Sequence, residues 1–214
     1  MNHRFASHLF WGPHSPLSAL SGTGLIIMAS NRFAYALVCA GALIWVNGLA
    51  TLVYSAARPI MPSRGKMMIL LFLSAFLCGL FVLFTSLLSP LLILGTTFFL
   101  VLVPPWCLSS GFFETFESED TIESVSRALL EGITLAGIII AFSLIREPLG
   151  MGTLSLPGGA QGVTELFNFQ DSNVNALFPA RIISVSSGGL LLMGYITALY
   201  RYFREQNGGV SGGG

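Results

Sequence analysis

Charge is what this sequence has least of. Ten Lys+Arg and ten Asp+Glu amount to 9% charged residues, against roughly 25% in a typical soluble domain. So few charges cannot cover the surface of a water-soluble globule of 214 residues. With 53% hydrophobic residues and a mean hydropathy of +0.76, the chain is excluded from the soluble enzymes and from the disordered proteins alike. The formal charge is zero, so no basic footprint for nucleic acid exists. Cysteine is scarce too: three residues, odd in number and widely spaced, all in apolar stretches, which argues against a disulfide framework. No CxxC or Cys/His run marks a zinc site, and no Ser/His/Asp triad, P-loop or Gly-rich dinucleotide motif is visible. His3, His8 and His14 are spaced as on a flexible arm, not as metal ligands. What remains is an integral membrane protein.

The opening Met1-Asn2-His3-Arg4 has the charge of a signal n-region. The apolar stretch behind it is broken by Gly12-Pro13-His14-Ser15-Pro16 and lacks an A-x-A site, so an uncleaved first span is expected. A spanning helix needs about 20 mostly apolar residues. Phe33–Ala57, Met67–Leu88, Val125–Ile145 and Leu177–Phe203 satisfy this well. Leu17–Ala29 is short and carries Gly22 and Gly24, while Pro90–Leu108 is interrupted by Pro104-Pro105. These two are either untidy helices or half-helices lining a site, and they need protein around them to satisfy their backbone groups. They are the first and the fourth span, so the chain divides 3+3 with the halves inverted, an arrangement that points to a midplane site. Ala57-Arg58-Pro59-Ile60 after the second span echoes Arg146-Glu147-Pro148-Leu149 after the fifth. The expected fold is therefore an all-α integral membrane domain over residues 1–206, with half-repeats at about 10–89 and 90–206, followed by a flexible Gly/Ser tail over 207–214.

Six spans put both termini on one side, together with Arg4, Arg58, Arg64, Lys66, Arg127, Arg201 and Arg204; the other side has Arg32, Arg146 and Arg181. The positive-inside rule makes the first side cytoplasmic. The loop from Glu114 to Glu123 holds five acids, Glu114, Glu117, Glu119, Asp120 and Glu123. They read first as a solvated turn favouring the N-terminus of the fifth helix, and second as a docking surface or cation funnel. Residues 150–176, rich in Gly, Asn and Gln, form either an ordered cap or a floppy loop.

Few side chains can carry chemistry. Cys107 sits at the exit of the interrupted fourth span, where a proline pair frees backbone groups and a thiol can face a shared interface. The simpler reading of any buried cysteine is a small hydrophobe, and it applies more strongly to Cys39 and Cys78 in regular spans. Arg146-Glu147 ends the fifth span before Pro148, which disfavours α geometry at Glu147; such a pair anchors a membrane boundary, with Arg146 snorkelling. Glu131, before Gly132 at the head of the same span, is a candidate for an ion path or a buried pair, or else is solvated at the interface.

These residues also resemble a family. Arg146-Glu147-Pro148-Leu149-Gly150-Met151-Gly152-Thr153-Leu154 looks like the R-E-x-L-G-x-G-x-L element of the six-span Rnf/Nqr membrane subunits, such as the E subunit of the Rnf complex and the D subunit of the sodium-translocating NADH:quinone reductase. Cys107-Leu108-Ser109-Ser110-Gly111-Phe112-Phe113-Glu114-Thr115-Phe116 is similar to their N-C-x-x-x-G-R-x-E-A-F element, and Glu131-Gly132 stands where they have Asp-Gly. The resemblance covers about Pro16 to Arg204. It implies a bacterial inner-membrane electron-transfer subunit, paired with a paralogous six-helix subunit and working with flavin- and iron–sulfur-containing subunits. It implies coupling to Na⁺ or H⁺ movement, with no catalysis by the chain alone. It also implies a shared [2Fe–2S] cluster held by one cysteine from each broken span. Here Gly24 stands at the first cysteine position, Trp106 replaces the Asn before the second and Phe112 replaces the Arg, leaving Cys107 as the expected ligand. Glu131, Arg146 and Glu147 would shape the half-helix environment or the ion path. The rival reading is a small secondary transporter or membrane scaffold that keeps the fold without redox chemistry.

Overall fold

In a helix the apolar stretches above are self-sufficient in backbone hydrogen bonds, and helices are what they form. The computed structural model describes residues 16–58, 66–109, 121–159, 162–168 and 181–208. In chain order these are α1 (Pro16–Ala29), α2 (Phe33–Ala57), α3 (Lys66–Leu88), α4 (Pro90–Leu100), α5 (Val103–Ser109) and α6 (Thr121–Met151). Then come strands β1 (Thr153–Pro157) and β2 (Val163–Asn168) and helices α7 (Arg181–Ser184) and α8 (Ser186–Gly208).

Among the described residues three helices are long and apolar enough to cross a membrane: α2, α3 and α6. At 1.5 Å per residue the 25 residues of α2 reach roughly 37 Å and the 11 residues of α4 roughly 16 Å, against a hydrocarbon core of about 30 Å. α1, α4 and the described apolar part of α8 are too short to span alone.

The centre of the bundle is α2, which runs antiparallel to α6 and packs along it. Its buried face is built from small residues, Ala34, Ala36, Ala40, Ala42 and Ala50, with Cys39, Leu43 and Val46 between them. Small side chains let helices approach closely in a membrane, where apolar burial gives no net drive. The approach is tight: a Cβ at Gly48 would sit 3.0 Å from Leu129 Cδ2. α3 is peripheral. It buries Leu70, Ser74, Leu77 and Cys78, and turns Phe72, Phe76, Leu87 and Leu88 outward.

Three features depart from the sequence reading. The first concerns α6, which continues through Pro148 to Met151, so Glu147 is helical and the fifth span does not end before the proline. Proline removes one N–H from the ladder, and helices tolerate this where the surrounding structure holds the freed groups. Gly152 N–H closes the helix on Pro148 O at 3.0 Å, and Gly152 takes a φ of +69°.

The second departure is a discontinuity in the segment read as a regular sixth span: α7 stops at Ser184 and α8 starts at Ser186. The third is that the fold is not purely helical. Part of the 150–176 segment is an antiparallel hairpin, pairing Leu154 with Phe167 and Ser155 with Glu165 around a bulge. Glycines with positive φ, Gly159 and Gly162, form its turn. In the fourth segment the helix is interrupted at Val101–Leu102, and Pro104 and Pro105 lie in the first turn of α5, where proline is tolerated. The acidic stretch 114–120 lies outside the described residues; Glu123, in the first turn of α6, pairs with Arg127 at 3.9 Å on the surface.

Candidate functional site

The C-terminal end of α6 carries two adjacent charges, and both are buried: Arg146 and Glu147 are each 1% exposed. Arg146 therefore does not snorkel. A guanidinium has five N–H donors, and here all five are engaged. Nε donates to Ile183 O at 2.9 Å; Nη1 to Ile27 O and to Ser30 Oγ at 2.9 Å; Nη2 to Ser184 O at 3.0 Å and Val185 O at 3.1 Å. Four acceptors are carbonyls at the C-terminal end of α1 and at the α7–α8 discontinuity. Such helix ends carry partial negative charge and unfilled lone pairs, which a buried cation satisfies.

Glycine makes room for this ring of contacts. A Cβ at Gly189 would lie 2.9 Å from Arg146 Cζ, and one at Gly150 would lie 2.9 Å from the backbone N of Ser184. A Cβ at Gly188 would overlap the Ile182 carbonyl.

Glu147 points elsewhere, to the N-terminus of α2. Phe33 N–H donates to its Oε2 at 2.6 Å, while Oε1 is buried without a partner. The next amide, Ala34 N–H, donates to Ser155 Oγ of β1 at 3.3 Å. Arg32, at the N-cap position, makes no side-chain cap. The positive end of α2 is thus capped by residues more than a hundred positions away in sequence. Each member of the charge pair faces a helix end of opposite sign.

The hairpin extends this face. Ser89 Oγ, between α3 and α4, donates to Gly159 O in the turn, and a Cβ at Gly162 would sit 3.0 Å from Leu91 Cβ. A cavity of about 380 Å³ is lined by Met28, Asn31, Tyr35, Phe98 and Arg146 among others. Arg146 has no donor left to offer it.

Glu131 is not part of this cluster. It is half-buried on α6 and lies about 22 Å from Arg146 along the helix. Its neighbour Gly132 belongs instead to a second polar spot inside the apolar core. Asn47, 2% exposed in α2, accepts the Cys107 thiol of α5 on Oδ1 at 2.6 Å. Its Nδ2 faces Gly132, where a Cβ would be 2.7 Å away. Cys107 is 1% exposed, and Cys39 and Cys78 are buried as well.

Gly24 and Cys107 mark where α1 and α5 come together. Cβ atoms at Gly22 and Gly24 would lie 3.4 Å from Trp106 Nε1 and 3.4 Å from Leu102 Cδ1. The two family ligand positions are therefore on neighbouring helices, but the residues present do not fit a cluster. Gly24 has no donor atom, Leu102 lies over it, and the Cys107 thiol is turned into the chain's own core. Among the described residues no three metal-capable side chains converge.

The sequence reading missed Asn47, Ser155, Ser30 and Gly189. For Asn47 there was a signal, an amide in the middle of an otherwise apolar 25-residue span. For Ser30 and Ser155 there was none, since their partners are distant in the chain.

A bundle of apolar helices in which interrupted segments are pinned by a buried charge pair defines a multi-pass membrane protein. The sequence model for "Rnf-Nqr subunit, membrane protein" matches residues 8–197, and the chain belongs to that family. A comparison with curated proteins returns no match.

Proposed function

We propose that this chain is an electron-transfer-complex membrane subunit of the Rnf/Nqr type, part of a bacterial ion-translocating oxidoreductase coupled to Na⁺ or H⁺. It is built as six spans in a 3+3 inverted arrangement and pairs with a paralogous six-helix subunit. Flavin- and iron–sulfur-containing subunits dock on the assembly, and the chain is not catalytic alone. Both termini lie in the cytoplasm. The observation that carries the reading is the packing of α1, the short first segment, on α5, which follows the interruption of the fourth, with Gly22 against Trp106 and Gly24 against Leu102. Inverted-repeat membrane proteins place their working sites where such segments meet.

The test is purification through this chain from native membranes. Recovery of a paralogous six-helix subunit and a flavin-bearing subunit in stoichiometric amounts is expected. A stable monomer without partners or redox signal overturns the proposal.

A specific observation favours a second reading, a transporter or scaffold without redox chemistry: neither Gly24 nor Cys107 offers a ligand where α1 and α5 meet. Ion flux through proteoliposomes holding the chain alone is the result that would select it.

A further inference from the structure

Asn47 is an expensive residue. A carboxamide in the middle of a membrane span has to find a partner among protein groups, because the hydrocarbon offers none. Its partner is the thiol of Cys107, from the short helix α5 that follows the α4 interruption. We infer that Cys107 is not an iron ligand but the donor half of a buried Asn47–Cys107 pair that ties half-helix α5 to the central helix α2. The inference rests on the membrane-subunit reading above, within which that cysteine would otherwise be a shared ligand.

Three observations support it. A ligand to a group shared with another subunit has to face the partner, whereas Cys107 is 1% exposed and belongs to the same buried core as Leu100, Val103 and Cys78. Iron ligation requires the thiolate, but an oxygen acceptor 2.6 Å from Sγ calls for a proton between them; a thiolate there would put two acceptors in contact. The opposite ligand position is filled: Gly24 supplies no donor and Leu102 Cδ1 stands 3.4 Å from where its Cβ would be. Gly132 completes the arrangement, since any side chain there would push into Asn47 Nδ2 and displace the amide from the thiol.

The experiment uses the complex purified through this chain, in wild-type form and as Cys107→Ser, Cys107→Ala, Asn47→Leu and Cys107→Ala/Asn47→Leu variants. Iron and acid-labile sulfide per complex, the infrared S–H stretch and thermal unfolding are measured. Serine keeps an O–H donor for Asn47, so iron and sulfide in Cys107→Ser equal wild type. The S–H band is present in wild type, reduced in Cys107→Ser and shifted in Asn47→Leu. Cys107→Ala lowers Tm, and adding Asn47→Leu does not lower it by a second full increment, because the orphaned amide is gone. Loss of iron and sulfide in an assembled Cys107→Ser complex overturns the inference, as do strictly additive Tm losses. If wild type brings down no partner subunits, the membrane-subunit reading fails instead. The S–H band and the Tm coupling of the isolated chain then still decide the Asn47–Cys107 pair.

Discussion

At the scale of single residues the structure is most sensitive at Arg146. Its five hydrogen bonds tie together two backbone stretches, the end of α1 and the α7–α8 junction, through four carbonyls and the Ser30 hydroxyl. Lysine keeps the charge but has three donors around a single nitrogen, so it cannot serve both Ile27 and Val185. Arg146→Lys leaves at least two buried acceptors unpaired, at about 1–3 kcal/mol each. The expected outcome is a large drop in thermal stability in detergent, read by tryptophan fluorescence. Gly189→Ala attacks the same contact from outside, since its Cβ would lie 2.9 Å from Cζ. Its loss and that of Arg146→Lys should therefore overlap in the double variant, not add. The sequence made Arg146 and Glu147 visible as a pair at the end of a span, and left their surroundings invisible. The guanidinium is satisfied by backbone oxygens, which any residue possesses, so no motif records the partners.

At the scale of elements the N-terminus of α2 is the instructive case. Local sequence offers no cap, because Arg32 does not fold back, and the helix is capped by Glu147 from α6 and Ser155 from β1. Ser155→Ala removes an acceptor from a buried amide and is expected to cost about 1 kcal/mol, the usual value of a cap. Glu147→Gln retains an acceptor for Phe33 N–H and loses only the charge–dipole term, so it should be milder than Glu147→Ala. Hydrogen exchange at Phe33 and Ala34 checks both, with faster exchange confined to the first turn of α2. Discontinuities were legible where proline causes them by ending a turn, as before Pro104-Pro105. They were not legible at the α7–α8 junction, which depends on glycine clearances around Arg146 and Ile182 that only the folded chain reveals. Pro148 is the converse: a breaker by local rule, carried inside α6, which Arg146 and Glu147 fix just before it and the Gly152 N–H bond to Pro148 O closes after it.

At the scale of the molecule the contacts sort the chain into two ends. Arg146, Glu147, the hairpin, the end of α1 and the starts of α2 and α4 lie at one. Lys66, whose ammonium stands 5.0 Å from the centre of the Tyr54 ring, lies at the other with Arg58, Glu123 and Arg127. Arg58, Lys66 and Arg127 gather at the second end, while the cation most prominent at the first is buried and saturated. The positive-inside rule counts charges that would have to cross the membrane exposed, so Arg146 weighs little in it and the bias toward a cytoplasmic second end strengthens. In the orientation proposed above the hairpin is extracytoplasmic. The three native cysteines, 0%, 6% and 1% exposed for Cys39, Cys78 and Cys107, give little background for thiol labelling. A membrane-impermeant maleimide applied to intact cells should therefore label Glu165→Cys on the outer strand of the hairpin. Ser126→Cys, exposed one turn into α6, should react only after the membrane is permeabilised. The reverse pattern would invert the chain in the bilayer and place the Arg146 cluster on the cytoplasmic side, whereas labelling of both sites without permeabilisation would break the two-ended arrangement itself.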